Sequence, residues 1–329
     1  MPAQFDVAAI GNAIVDVLAS ADDAFLAAEQ LAKGSMMLID EDRAHQLYGR
    51  MAAGLEASGG SAANTVAGVA SLGGRAHFAG KVAADALGEI FAHDIRAIGV
   101  DFTTAPLTDG PATARCLINV TPDGERTMCT FLGAAVRLTP GDVDPAAIAA
   151  SEVLYLEGYL FDPEEARAAF GKAAHIARAA GRSIALSLSD AFVVERHRAA
   201  LLDFIDTEVD VLFANEAEVT ALFETADFDA ALARVRGRVR IAAVTRGARG
   251  AVVLSDGEAK AVAAEPVATV VDTTGAGDQY AAGFLVGLAA GRPLEDCSRL
   301  GALAAAEVIS HFGPRPLVDL EDLAAAKGL

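Results

Sequence analysis

The stretch DTTGAGD, Asp272 to Asp278, lies between an apolar run, Pro266 to Val271, and a long Ala/Gly/Leu run from about Gln279. That pattern predicts a strand, a glycine turn and a helix. Gly275 and Gly277 let the backbone turn sharply and, with Ala276 between them, leave amide N–H groups uncovered at the head of the helix. The helix dipole adds about half a positive charge there. The turn therefore suits an anion, with Asp278 placed to reach a substrate hydroxyl. The competing reading makes Thr274 a plain N-cap, the glycines a loop and Asp278 a first-turn carboxylate that favours the dipole.

The 329 residues carry a formal net charge of −19, which argues against a protein that coats nucleic acid, because phosphate contacts need clustered Lys and Arg. Phosphate would have to be held locally, by amides, a few placed basic side chains and a divalent cation. No apolar run is long and charge-free enough to predict a membrane span. The N-terminal MPAQFDVAAIGN shows neither the basic region nor the cleavage site of a leader. The three cysteines, Cys116, Cys129 and Cys297, lack C-x-x-C spacing, which fits a reducing cytoplasm better than a disulfide framework or a zinc site.

Along the chain, Phe5 to Gly11 reads as a buried strand, and Asp16 follows as an acid near a strand end, where α/β proteins place their ligands; a solvated turn aspartate is the alternative. Lys33 to Asp40 reads as a strand and Glu41 to Leu55 as a helix. SGGSAANT, Ser58 to Thr65, opens a further helix with small residues that allow close approach of a ligand. Asp16, Gly59, Gly60 and Asn64 can thus converge on a polyhydroxylated substrate, unless the second piece is only a tight cap. Thr113 to Val120 and Arg126 to Leu132 flank the turn TPDGE and predict a β-hairpin. It interrupts the βαβ rhythm, so it is expected to leave the main sheet as a small lid with strands from the Ile14 to Ile39 region.

From Glu152 strands and helices alternate regularly. In NEAE, Asn215 and Glu218 share a helix face and can order water around Mg²⁺, or form a capping box. In TRGARG, Thr245, Arg246, Gly247 and Gly250 can border a nucleotide, or make a hairpin loop. Tyr159 and Phe192 each follow a strand and can stack on a flat base, or fill the core. The motif G-x-x-x-x-G-K-[ST] is absent, and Tyr280 stands where G-x-G-x-x-G needs its third glycine.

GNAIVD, GGSAANT, TPDGERTM, NEAE, TRGARG and DTTGAGDQYAAGF occur in the order seen in ribokinase-like sugar and nucleoside kinases, the phosphofructokinase B family, which the chain resembles over nearly its whole length. LFANEAE, LSLSDAFVV and EGYLF are similar to segments of the adenosine kinase branch, although Thr274 stands where many of that branch carry Asn. The resemblance implies one three-layer α/β/α domain over residues 1–329 with a mostly parallel central sheet, and a discontinuous β-lid at approximately 12–40 and 102–133. It implies ATP and Mg²⁺, with a monovalent cation such as K⁺ left open. Asp278 would be the general base, Gly275, Ala276 and Gly277 the anion hole, and Arg126 a lid arginine approaching the transferred phosphate. Asp16, Gly59, Gly60 and Asn64 would hold the sugar, Asn215 and Glu218 would position Mg²⁺ through water, and Thr245 to Gly250 would border ATP. The expected substrate is a small nucleoside or sugar, most closely the 5′-hydroxyl of adenosine, with ribokinase, fructokinase and 2-keto-3-deoxygluconate kinase as alternatives. A monomer or homodimer without nucleic-acid or membrane partners is expected. A non-catalytic nucleoside-sensing module would keep Asp16 and Asn64 but has no use for Asp278 beside an intact anion hole.

Overall fold

Strand residues in the larger sheet are buried on both faces in alternation. Val7 and Ala9, with Val153 and Tyr155, enter one apolar cluster, while Ala8 and Ile10, with Leu154 and Leu156, enter another. Continuous apolar runs of this kind belong to parallel strands with helices above and below. The computed structural model describes residues 3–329; Met1 and Pro2, which begin the segment read above as lacking a leader, lie outside them.

The strands are β1 (Phe5–Ile10), β2 (Ile14–Ser20), β3 (Met36–Leu38), β4 (Leu55–Gly59), β5 (Ala76–Ala79), β6 (Ala114–Val120), β7 (Arg126–Phe131), β8 (Ser151–Glu157), β9 (Ser183–Ser187), β10 (Val211–Asn215), β11 (Ile241–Thr245), β12 (Ala251–Ser255) and β13 (Glu258–Val262). Eight form the larger sheet in the order β13-β12-β11-β10-β9-β8-β1-β5. It is parallel from β5 to β11 and antiparallel at β12 and β13. Helices on its two faces complete the three-layer α/β/α architecture that the sequence predicts. The other five strands form a smaller sheet, β3-β7-β6-β2-β4. Helix Glu41–Tyr48 covers one of its faces, with Leu47 fully buried beneath it.

Three local expectations change. Pro266 to Val271 is not a strand: Val270 and Val271 are exposed, and the N–H of Val271 donates to the carbonyl of Ile309 instead of to a strand. β-branched residues supply propensity only, and a strand also needs a free edge to pair with. The helix after Asp40 stops at Tyr48. Leu55–Gly59 pairs antiparallel with β2, so Ser58 and Gly59 end a strand before the next helix begins at Ser61.

Candidate active site

The chain crosses from β5 to β8 on opposite sides of β1, which places a ligand crevice outside the carboxyl ends of β1 and β8. Asn12, just past β1, donates through Nδ2 to Oε1 of Glu157 at the end of β8 (2.7 Å). The other Glu157 oxygen accepts from the N–H of Ala62, in the first turn of helix Ser61–Ser71 (2.8 Å). Burial pushes the Glu157 carboxyl up to about 7 against these bonds.

The DTTGAGD turn faces the same crevice. Gly275, not Thr274, is the N-cap of helix Ala276–Ala289, and it holds a left-handed φ of 79°. A side chain there would meet the backbone of Pro314, so glycine is required twice over. Thr274 instead donates to Asp272 through its N–H (3.0 Å) and its hydroxyl (2.7 Å). The N–H groups of Gly277 and Asp278 have no protein acceptor among the described residues, and the space beside the Gly277 Cα is open. Exposed first-turn amides of this kind can take up negative charge.

Asp278 accepts from the Ser61 hydroxyl (2.6 Å) and from Asn64 Nδ2 (3.2 Å), which joins the turn to helix Ser61–Ser71. Burial pushes its carboxyl up to about 6, opposed by those two bonds. Asp16 is also pushed up to about 6 by burial, opposed by the charges of Arg315 and Arg126 and assisted by Asp278. It does not sit at a strand end as expected, because β2 belongs to the smaller sheet and places Asp16 beside Ala57 and Cys116. Gly59 leaves room for it, since a Cβ there would collide with the carboxylate; Gly60, at φ 101°, caps the helix against the Asn12 carbonyl. The structure thus brings together Asp16, Gly59, Gly60, Asn64 and Asp278 from three separate stretches of the chain. Arg126 joins them from β7, with Nη1 at 2.6 Å from Asp272 and 3.2 Å from the Thr274 hydroxyl.

The two readings of NEAE coexist only in part. Asn215 and Glu218 form the full capping box: Glu218 accepts from Asn215 N (2.9 Å) and Nδ2 (2.7 Å), and its own N–H donates to Asn215 Oδ1 (2.9 Å). Among the described residues no group of three or more His, Cys, Asp or Glu can hold a metal alone. The donor set does fit Mg²⁺ held through water: burial, then the charges of Asp190 and Asp278, push Glu218 up to about 7, so a nearby cation would relieve an unfavourable carboxylate. TRGARG is a hairpin loop, with Thr245 paired to Ala251. Arg246 is committed to Glu216 (3.3 Å) and stacks over Phe228 (3.8 Å). Gly247 and Gly250 take positive φ within that loop, and register sets Thr245 beside Asn215.

Tyr159 and Phe192 do not fill the core. They are 36 % and 70 % exposed. Tyr159 feels the charges of Asp190, Glu157, Asp278 and Glu218, although crowding by protein atoms is the larger cause that keeps its phenol neutral. Phe192 opens helix Ala191–Glu208, its N–H bonded to Asp190 (2.7 Å).

Sequence reading missed Ser61 as a partner of Asp278, and it missed Asn12, Glu157 and Arg315 altogether. Arg315 donates to Asn64 Oδ1 (3.3 Å), Ser58 Oγ (2.5 Å) and Asp94 Oδ2 (3.2 Å). Its only sequence signal was the rigid GPRP segment after the last long helix.

Over its whole length the chain is similar to the adenosine kinase of Sinorhizobium meliloti, at 55% identity and a TM-score of 0.92, covering 99% of this chain and 100% of that one. It is similar to a probable sugar kinase of Rhizobium etli, at 50% identity and a TM-score of 0.92, covering 99% of each chain. The fructokinase of Klebsiella pneumoniae is 30% identical over 72% of this chain and 78% of its own length. The pfkB family carbohydrate kinase model matches residues 34–320, and the chain therefore belongs to that family, as a kinase that transfers phosphate to an alcohol group.

Proposed function

We propose that this kinase moves the γ-phosphate of ATP to the 5′-hydroxyl of adenosine. The observation that carries the reading is Asp278, a carboxyl pushed up to about 6, standing beside the unpaired first-turn amides and hydrogen-bonded to Asn64 of the hydroxyl-binding set. The whole-length likeness to an adenosine kinase supports the nucleoside over a free sugar, as do two exposed aromatic rings past strand ends.

In this mechanism Asp16, Gly59, Gly60 and Asn64 hold the ribose so that its 5′-hydroxyl meets Asp278, which takes the proton. The free amides of Gly277 and Asp278 and the Arg126 guanidinium face the charge on the moving phosphate; in the same turn the Ala276 N–H, expected to join them, is instead bonded to the Thr273 carbonyl (3.2 Å) and Gly275 shapes the backbone. Positioning and charge stabilisation of this kind supply most of the catalysis in phosphoryl transfer. Bound with ATP, Mg²⁺ would supply positive charge to offset that of the phosphates. Asn215 and Glu218 would hold its waters, while Thr245, Arg246, Gly247 and Gly250 would border the nucleotide. Tyr159 and Phe192 cover the base. Three buried free thiols support a reducing cytoplasm as the setting.

The test is phosphoryl transfer from ATP measured against adenosine, other nucleosides, ribose, fructose and 2-keto-3-deoxygluconate at equal, subsaturating concentration. Adenosine is expected to give the highest kcat/KM. A higher value with fructose would replace the nucleoside reading with a sugar kinase, the activity named for the Klebsiella relative. Saturable binding of adenosine without turnover would support a sensing module. Run in K⁺ and in Na⁺, the same assay tests for monovalent-cation dependence.

A further inference from the structure

Arg315 places a charged donor beside the hydroxyl-binding set from a segment remote in sequence. Its side chain is 17 % exposed, and two of its three nitrogens are committed: Nε to Asn64, Nη1 to Ser58 and Asp94. Nη2 is buried and has no partner among the described residues. A buried guanidinium N–H without an acceptor is costly, and native proteins rarely leave one so. The matching acceptor is close at hand. Asp16 accepts no hydrogen bond from any described residue, and no ion pair joins it to Arg315, yet the two charges act on each other. A donor and an acceptor thus both stand without a bonding partner, near enough for their charges to act on each other yet not bonded directly.

A hydroxyl fits between such groups, because its oxygen accepts while its hydrogen is donated. We propose that Arg315 is a specificity-determining residue: Nη2 donates to the ribose hydroxyl that donates to Asp16, while Nε holds the Asn64 amide with its Nδ2 turned to Asp278. One side chain then reads the diol and fixes the partner of the base. A deoxy-nucleoside would leave both Nη2 and the Asp16 carboxylate without a partner. Sites built to bond a substrate hydroxyl reject the analogue lacking it for this reason.

The assignment rests on the nucleoside reading above, and one experiment separates the two. Steady-state kinetics are measured for the full chain with adenosine, 2′-deoxyadenosine and 3′-deoxyadenosine, on the wild type, Arg315→Met and Arg315→Lys. The wild type is expected to prefer adenosine over at least one deoxy analogue by about tenfold or more in kcat/KM, the scale of one charged hydrogen bond. Arg315→Met should bring that preference to within about threefold, mostly by raising KM for adenosine. Arg315→Lys keeps the positive charge between Asp16 and Asp94 and so guards against loss of the fold; it should lose much of the preference, because a single ammonium cannot hold Asn64 and the hydroxyl together. If both variants lose activity on all three nucleosides in parallel, with the preference intact, Arg315 is structural only and the assignment is overturned. A wild type that turns over none of the nucleosides but phosphorylates a sugar overturns the nucleoside reading itself.

Discussion

Arg126 and Asp272 form an ion pair at 2.6 Å in which both side chains are 7 % exposed. It ties the smaller sheet to the loop that carries the anion turn. The same carboxylate accepts from the N–H and hydroxyl of Thr274 and from the N–H of Gly313 (3.0 Å). Removing one partner of a buried pair strands the other charge and costs about 3 to 5 kcal/mol. Asp272→Ala should lower the unfolding free energy by about that amount in denaturant titration. It should also speed amide exchange across Thr113 to Leu132, where wild-type exchange is expected to slow on adding adenosine. Unchanged exchange in the variant and on ligand addition would mean that the hairpin is rigid without the latch.

For Asp278→Asn, kcat should fall by about 10² to 10⁴, the usual contribution of a positioned base, with ATP affinity within a few-fold of wild type. The wild-type kcat/KM should rise with pH through about 6, since the base acts ionised; that limb belongs jointly to Asp278 and Asp16, which influence each other. Wild-type turnover in the variant would reduce Asp278 to a helix-start residue.

Stability without ligand should depend on pH in the opposite sense. Asp16 and Asp278 are raised to about 6, and Glu157 and Glu218 to about 7, above their unfolded values. Between about pH 4 and 7 the folded chain therefore binds more protons than the unfolded one, so stability falls as pH rises through that window. Urea midpoints should be lower at pH 7.5 than at pH 5.5, and Glu157→Gln should flatten the slope. A midpoint that climbs with pH across this range would contradict the burial of these four acids.

Phe192→Ala should raise the KM for adenosine by about tenfold or more if the ring covers the base, given about 1 to 3 kcal/mol for a base–aromatic stack. Because Phe192 is 70 % exposed, its truncation should leave the thermal midpoint nearly unchanged. An unaltered KM would remove Phe192 from the base site.

Elements set by local chemistry were legible in the sequence. The β6–β7 hairpin followed from its turn residues, and the capping box of Asn215 and Glu218 followed from their spacing. What tertiary pairing decides was not legible. Leu55–Gly59 becomes a strand because β2 offers it an edge, whereas Pro266 to Val271, richer in β-branched residues, finds none. Asn64 and Asp278 could be expected to meet because each sits in a glycine-rich context that announces close approach, whereas Asp16 was grouped with them on a strand-end position that β2 does not give it. Arg315 had no such context: only the path of the chain brings it beneath Asn64. Glu157 looked like one more polar residue after an apolar run, since nothing local reveals that Asn12 and Ala62 will surround it.

Four passages join the smaller sheet to the rest of the molecule, and two of the short ones are Gly11 to Ala13 after β1 and Gly60 after β4. These lie against each other, Gly60 packed on the Asn12 carbonyl, and they flank the residues proposed to grip the ribose. Any swing of that sheet must bend the chain where the hydroxyls are held. Grip and release are therefore one mechanical coordinate. Selection for a tighter grip in a descendant of this enzyme would also slow its product's escape, and a lineage that changes its sugar must retune its hinge at the same step.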